Sequence, residues 1–343
     1  MSEQHQKTMR DAFLGRLYAA MQEDDAIFIL SDDFGAPVLD RIRTDFGDRF
    51  VNVGIAEQNA VNVATGLALE GFTTYVYGIA AFVSMRCYEQ IRTNLSMASQ
   101  VRPVNVNIVG VGAGLSYDLS GPSHHCLEDL ALMRLLPSIE VLSPSDWKLA
   151  ERFADYCVEK PGPKYLRLDS KPVDRIYDGR DRPVIEDGFC ELARGAGACV
   201  VSTGFMTQVA LRALERVNAD TGLVDVFALS HLNEKGLFEA LRGYERLVTV
   251  EEGFLHRGGL DTLILNLLRQ HGSSARLVNL GVEDRYVFEL GGRSHLHAIC
   301  GMDEQAIIAA VQGVVSQDRE PGEASASGVG TDPSGHRSRA ASG

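Results

Sequence analysis

The sequence has little positive charge and no long apolar run. Its 33 Lys and Arg residues stand against 46 Asp and Glu residues, so the formal net charge is −13. Nucleic acids and anionic membranes are bound through clustered positive charge, so this balance argues against both as partners. No stretch approaches the roughly 20 apolar residues of a bilayer span, and no apolar segment near Met1 resembles a secretion signal. We therefore expect a cytoplasmic protein.

The cysteines form no recognisable framework. There are six of them, and no two make a C-x-x-C pair: Cys87, Cys126, Cys157, Cys190, Cys199 and Cys300. Wide spacing of this kind is typical of reduced thiols in a reducing compartment. The sequence therefore predicts neither disulfides nor a metal site held by this chain.

Short apolar runs alternate with segments of helical periodicity. The runs predict buried strands at 26–30, 50–53, 104–109, 139–142, 198–201, 224–229, 247–250 and 277–280. The segments between them predict helices that include 11–21, 57–69, 147–158, 206–217 and 303–315. Such alternation favours mostly parallel sheets flanked by helices, so the predicted fold class is α/β.

Two stretches interrupt this pattern and suggest a division of the chain. Residues 171–188 are rich in Pro, Asp, Arg and Gly and predict a linker between domains at 1–170 and 189–316. Residues 317–343 are mostly small or polar and cannot bury enough apolar surface to offset their ordering entropy. We expect this last segment to be a disordered tail.

Glu57 begins a predicted helix directly after a predicted strand, in the run VGIAEQNA. One interpretation is a first-turn carboxylate that the helix dipole favours by less than about 1 kcal/mol. The other is a functional acid, because open α/β sheets bind their ligands where strands lead into helices. Burial there would raise its pKa and let it hold or share a proton near neutral pH. The spacing alone leaves both interpretations open.

A glycine-rich segment, IVGVGAGLSYDLSGPSHH, ends at His124 and His125. It lacks the G-x-G-x-x-G spacing of a dinucleotide loop and is better explained as an active-site loop. Neighbouring side chains point in different directions, so the two histidines are a weak signal for a metal site. Both are candidates for proton exchange with a substrate oxygen, and ordinary loop histidines are the alternative. Phe82 heads a further helical segment, where a core role and a stacking role are both open.

Taken together, these motifs resemble the C-terminal two-thirds of transketolases and of 1-deoxyxylulose-5-phosphate synthases, especially the smaller subunit of a split transketolase. The likeness covers roughly residues 9–315 and rests on G-I-A-E-Q at 54–58 and G-P-S-H-H at 121–125. T-V-E-E-G at 249–253 and C-G-M-D at 300–303 are similar to the family's C-terminal region. The resemblance implies a pyrimidine-binding domain followed by a transketolase C-terminal domain.

The resemblance also implies roles for individual residues around thiamine diphosphate. Glu57 matches the glutamate that hydrogen-bonds N1′ of the aminopyrimidine, and Phe82, or Val83 beside it, matches the stacking aromatic. The remaining matches are an acidic residue near the cofactor at the subunit interface (Asp33), histidines that contact substrate (His124, His125) and arginines that bind the acceptor's phosphate (Arg10, Arg167). Glu57 and His124 are the implied catalytic residues.

Several positions depart from the family pattern. Gly112 stands where many transketolases have a phosphate-contacting histidine, and Pro37 stands in place of a serine. Ser120 replaces an aspartate that contacts a sugar hydroxyl, with Asp118 nearby as a candidate substitute. Two further pocket aromatics correspond to Ile79 and Met85. The acceptor is therefore not necessarily a standard aldose phosphate.

One family motif is absent. The diphosphate and Mg²⁺ are held in the family by a G-D-G…N motif on a separate N-terminal domain, and this sequence contains no G-D-G. We therefore expect a partner subunit that carries the diphosphate-binding domain, in an α2β2 assembly that acts on a sugar or sugar phosphate. The predicted reaction is transfer of a two-carbon ketol unit to an aldehyde. The alternatives are the β subunit of a thiamine-dependent 2-oxo acid dehydrogenase component and a non-catalytic scaffold partner.

Overall fold

The protein is described by a computed structural model that covers residues 6–177, 183–217 and 220–313. Its strands are β1 (Gln6–Thr8), β2 (Ile27–Ser31), β3 (Phe50–Asn52), β4 (Thr73–Ile79), β5 (Val106–Val111), β6 (Glu140–Leu142), β7 (Lys164–Leu168), β8 (Pro172–Asp174), β9 (Phe189–Ala193), β10 (Ala198–Ser202), β11 (Thr221–Val226), β12 (Arg246–Phe254) and β13 (Arg276–Val282). The predicted tail at 317–343 lies outside the described residues. Within the described ranges, no helix is long and apolar enough to cross a membrane.

Helices connect most of these strands. They are α1 (Met9–Glu23), α2 (Pro37–Asp45), α3 (Glu57–Leu69), α4 (Ala80–Met85), α5 (Tyr88–Gln90), α6 (Asp129–Arg134), α7 (Trp147–Glu159), α8 (Phe205–Leu214), α9 (Glu234–Leu241), α10 (Leu260–Gln270), α11 (Arg293–Cys300) and α12 (Glu304–Gln312). A π-helical segment, Ile91–Met97, continues from α5. Helix α7 begins where the Asp146 carboxylate accepts from the backbone N–H of Leu149, an N-cap that the sequence signals.

The first sheet has six strands in the order β3-β2-β4-β5-β7-β6, and every neighbouring pair is parallel. Apolar residues of its strands and covering helices are fully buried on both faces, including Ile29, Val76, Ile108 and Leu166. A parallel sheet needs such two-sided cover because its crossover connections run over both faces. The carboxyl ends of all six strands therefore meet at one edge.

The second sheet has the order β13-β12-β10-β11-β9. Its four later strands are parallel, and β9 joins the edge antiparallel to β11. The two-domain α/β prediction with mostly parallel sheets is thus confirmed. The predicted linker is more ordered than its composition indicates, since β8 within it pairs antiparallel with β1.

Candidate active site

The carboxyl edge of the first sheet brings together side chains that lie far apart in the sequence. Strand β2 ends one residue before Asp32, β3 leads into Glu57 at the start of α3, and β4 leads into α4 with Phe82. Strand β5 leads into the loop that carries His124 and His125. Open parallel sheets bind ligands at this edge, where the loops and helix N-termini converge.

Glu57 is the first residue of α3 and is only 4% exposed. Its Oε1 accepts a hydrogen bond from Nη1 of Arg86 at 2.6 Å. No side chain caps the helix at Ala56, so the helix terminus and the arginine are the features that favour a negative charge here. The dipole interpretation and the buried-acid interpretation of Glu57 therefore describe the same carboxyl group.

Arg86 connects Glu57 to Phe82. Its guanidinium carbon lies 4.2 Å from the centre of the Phe82 ring, which is within cation–π range. Phe82 and Arg86 are four residues apart and thus lie on one face of a helical turn. Val83, the other candidate for stacking, is fully buried in the core, so Phe82 is the residue whose ring faces this site.

Asp32 is a second buried acid beside Glu57. It is 9% exposed, and neither of its carboxyl oxygens has a hydrogen-bond partner among the described residues. Burial, with the negative charge of Glu57 as a smaller cause, raises the pKa of Asp32 to about 7, although Arg86 opposes this. The space that Asp32 occupies exists because Gly78 has no side chain, since a Cβ there would lie 2.7 Å from Oδ2.

The two histidines point in different directions, as expected of neighbours. The half-buried His124 ring lies 5.4 Å from the Phe82 ring and 6.3 Å from the Tyr117 ring. His125 is buried, and its ring nitrogens have no hydrogen-bond partner among the described residues. Burial lowers the pKa of His125, which therefore stays neutral near pH 7. Only His124 shares the open side of the site with Phe82.

Tyr117 explains the glycine at position 112. A Cβ on Gly112 would lie 2.1 Å from Cε2 of Tyr117, and the glycine has a φ of +99°. No larger side chain, including the histidine of many transketolases, fits beside this tyrosine. The ring thus fills space that the family pattern gives to another residue.

Asp33 and Arg10 lie at the margin of the site. Asp33 is exposed, has a φ of +56° and accepts from Nδ2 of Asn52 at 3.0 Å. Arg10 is half-buried, and its guanidinium donates to both carboxyl oxygens of Asp11, at 2.8 and 3.2 Å. Although burial opposes it, this pairing with Asp11 raises the pKa of Arg10. A phosphate at Arg10 would have to share the guanidinium with Asp11.

Arg167 is in a different environment from the one the resemblance implies. It is 2% exposed, its Nε donates to Asp129 at 2.8 Å, and its Nη2 donates to the carbonyls of Cys126 and Glu252. These bonds hold the guanidinium between the two domains and leave no open face for a substrate phosphate. We correct the expectation accordingly and assign Arg167 a structural role.

Asp118 likewise does not replace the missing sugar-contacting aspartate. Its Oδ2 accepts from the backbone N–H of Arg293 at 2.8 Å and pairs with Lys171. Arg293 also bonds Asp169 at 2.5 Å and Glu252 at 2.6 Å, all buried. Although burial opposes it, Arg293 holds the pKa of Glu252 well below its usual range. Asp118 therefore belongs to an ion-pair network that joins the two domains.

The sequence patterns assign no role to Asp32 or Arg86. Two adjacent aspartates follow β2, and nothing in the sequence distinguishes the buried one from the exposed one. Arg86 has a usable signal, because it follows Phe82 by four residues on a helical pattern. In the described ranges, no cluster of three or more His, Cys, Asp and Glu side chains could hold a metal ion.

Comparisons with known proteins agree with this architecture. Residues 5–173 match the family model described as transketolase, pyrimidine binding domain, and residues 191–307 match that of the transketolase C-terminal domain. The chain is 28% identical to one of the subunits of the apulose-4-phosphate transketolase of Phocaeicola vulgatus, over 85% of this chain and 92% of that protein.

Two further relatives are 30% identical to this chain. One is a putative uncharacterized transketolase family protein of Sinorhizobium fredii, with 90% of this chain and 89% of that protein covered. The other is a solved structure described as a split gene transketolase, inactive beta4 tetramer, with a TM-score of 0.79 over 89% of this chain and 97% of that chain. The chain belongs to the transketolase family.

Proposed function

We propose that this chain is the β-like subunit of a split, thiamine diphosphate-dependent transketolase. It moves a two-carbon ketol unit from a ketose or ketose phosphate to an aldehyde acceptor, together with a partner that binds the diphosphate. The observation that carries this proposal is the buried Glu57 at the sheet's carboxyl edge, facing the same space as the Phe82 ring. A carboxyl group and an aromatic face are the two features that an aminopyrimidine ring needs.

The fit of the cofactor's ring can be judged from Arg86. Its planar guanidinium donates to Glu57 and lies over Phe82, so the site accepts a flat group that offers a hydrogen bond to the acid. Glu57 would hold a proton at N1′ of the ring, and Phe82 would stack against the ring's face. When bound, thiamine diphosphate supplies the electron sink for ketol transfer. We assign the diphosphate and Mg²⁺ to the partner, whose family counterpart carries the G-D-G motif.

His124 is the residue we assign to the substrate. It lies on the same side of the site as Phe82, 5.4 Å away between ring centres, and is half-exposed. A histidine there can donate a proton to, or accept one from, a sugar oxygen. Arg10 would bind a phosphate on the substrate only in competition with Asp11, so phosphate binding there requires that this ion pair open or share its guanidinium.

The partner subunit would cover the carboxyl edge of the first sheet. Large apolar side chains near the site are exposed, including Ile55, Met85 and Leu119. Exposed apolar patches on a folded chain mark interaction surfaces. The related split transketolase forms a β4 tetramer that is described as inactive, which fits a chain that needs its partner. We propose an α2β2 enzyme in the cytoplasm, where the six free thiols stay reduced.

A substrate comparison tests the reaction class. The complex reconstituted with its diphosphate-binding partner is assayed with a ketose phosphate donor and, separately, with a 2-oxo acid. We expect ketol transfer from the ketose and no turnover of the 2-oxo acid. The reverse result would assign the chain to 2-oxo acid dehydrogenase chemistry, and a fully reconstituted complex inactive with both would favour the scaffold alternative.

A further inference from the structure

Asp32 has no partner that would stabilise its charge. Ionised carboxylates that are buried without donors carry a large desolvation cost, which proteins usually offset with hydrogen bonds or a cation. The described residues give Asp32 neither, because Arg86 bonds to Glu57 and not to Asp32. A buried, unpaired carboxyl group next to a proposed proton-holding acid therefore needs an explanation.

The surroundings of Asp32 contain few titratable or charged groups. Glu57 faces it from α3, Arg86 faces it from the end of α4, and the buried Cys87 thiol lies in the same electrostatic environment. The interaction between the two carboxyl groups is mutual: if Glu57 favours the proton on Asp32, Asp32 favours the proton on Glu57 by the same amount. Two carboxyl groups coupled in this way titrate as a pair and not one by one.

We infer that Asp32 and Glu57 act as one acid pair, in which Asp32 is a positioning residue that keeps a proton on Glu57 once Arg86 has moved away. This inference rests on the proposed function, since the thiamine ring is what would displace Arg86. In the unliganded chain Arg86 supplies the positive charge that keeps Glu57 ionised. When a neutral ring replaces it, two buried carboxylates cannot both stay ionised, and the pair retains a proton for N1′.

The consequence is a pH limit set by Asp32. Without Asp32, Glu57 would lose its proton at a lower pH because no neighbouring negative charge opposes its ionisation. Binding of the ring would then begin to weaken at a lower pH than in the wild type. A purely structural role for Asp32 would instead weaken binding equally at every pH.

The test measures the dissociation constant of thiamine diphosphate with Mg²⁺ from pH 6 to 9, by calorimetry on the reconstituted complex. Asp32→Asn keeps the shape of the side chain and removes its charge, and Asp32→Ser is a second variant that removes the carboxyl group in a smaller form. Asp25→Asn is the matched control, since Asp25 is fully exposed and precedes β2 at the opposite edge of the sheet.

We expect the pH at which binding weakens to fall by about one unit in both Asp32 variants and to stay at the wild-type value in Asp25→Asn. The alkaline limb of kcat should move in the same direction. Asp32 variants whose pH limits coincide with the wild type would overturn the inference. A wild-type complex that does not bind thiamine diphosphate would instead overturn the proposed function, so the two failures are distinguishable.

Discussion

Arg86 and Glu57 form an ion pair at 2.6 Å in which the arginine also covers the Phe82 ring at 4.2 Å. These are the two contacts that the transketolase resemblance assigns to the aminopyrimidine of the cofactor. The guanidinium and the ring therefore compete for one position. Cofactor binding must break the arginine's contacts before it can make its own.

Replacing Arg86 with alanine should tighten the binding of thiamine diphosphate to the reconstituted complex by about tenfold. The expected gain corresponds to about 1.4 kcal/mol for a partly exposed ion pair and a cation–π contact that no longer have to be broken. Calorimetry measures the dissociation constant. Arg92→Ala is the control, because Arg92 makes only a 3.9 Å contact with Glu89 on the surface. Binding that is unchanged or weaker in Arg86→Ala would contradict the competition.

The stability of the isolated chain should depend on pH through Asp32. Its pKa is raised from 3.8 to about 7 by burial, so between these values the folded chain binds a proton that the unfolded chain has lost. This contribution to stability is complete at low pH and is lost as the pH rises to about 7. Asp32→Asn does not titrate, so its stability relative to wild type should be about 1–2 kcal/mol more favourable at pH 8 than at pH 5.

Urea titrations of both chains at pH 5 and pH 8 measure this difference. Asp25→Asn again serves as the control, since an exposed aspartate should change stability equally at both pH values. A constant difference between Asp32→Asn and the wild type would mean that Asp32 ionises in the folded chain as it does in the unfolded one.

The network around Arg293 should hold the two domains together. Arg293→Ala leaves Glu252 and Asp169 buried without their cation, and removing one member of a buried pair costs about 3–5 kcal/mol. We expect a clear fall in the thermal midpoint, measured by circular dichroism. Arg257→Ala removes the exposed pair with Asp284 and should cost less than about 1 kcal/mol. Similar effects of the two variants would show that the network contributes little.

Gly112→Ala should destabilise the chain by more than Gly54→Ala. Both glycines have positive φ, but a Cβ at Gly112 meets the Tyr117 ring whereas a Cβ at Gly54 meets nothing within 4 Å. The shared backbone cost is about 1 kcal/mol, and steric overlap in a packed site adds about 1–3 kcal/mol. Denaturation midpoints separate the two contributions. Equal losses would mean that Tyr117 moves aside freely.

Much of the fold follows from local sequence patterns, although not all of it does. Helix α3 is predicted to the residue, because a strand, a glycine and an alanine-rich apolar segment follow one another. Strand β4 escapes prediction since Tyr75 and Tyr77 alternate with small or polar residues, yet both rings are fully buried. Strand β7 escapes prediction because Lys164 and Arg167 look like surface residues.

The buried charges of β7 depend on partners far away in the sequence. Arg167 is stabilised by Asp129, 38 residues earlier, and by the carbonyl of Glu252, 85 residues later. No local pattern predicts such pairs, so a resemblance alone assigns Arg167 to the substrate. The same limit applies to the aspartates after β2, of which only tertiary packing buries Asp32. Sequence patterns locate the edge of the sheet correctly but do not say which polar groups there face each other.

The most direct test of the account is ketol transfer by the reconstituted complex with Glu57→Ala. Loss of a carboxyl group that holds a proton for the cofactor should lower turnover by about two to four orders of magnitude. Glu70→Ala, at the exposed far end of the same helix, should leave turnover near the wild-type value. If Glu57→Ala were as active as Glu70→Ala, Glu57 would not be the catalytic acid of this chain.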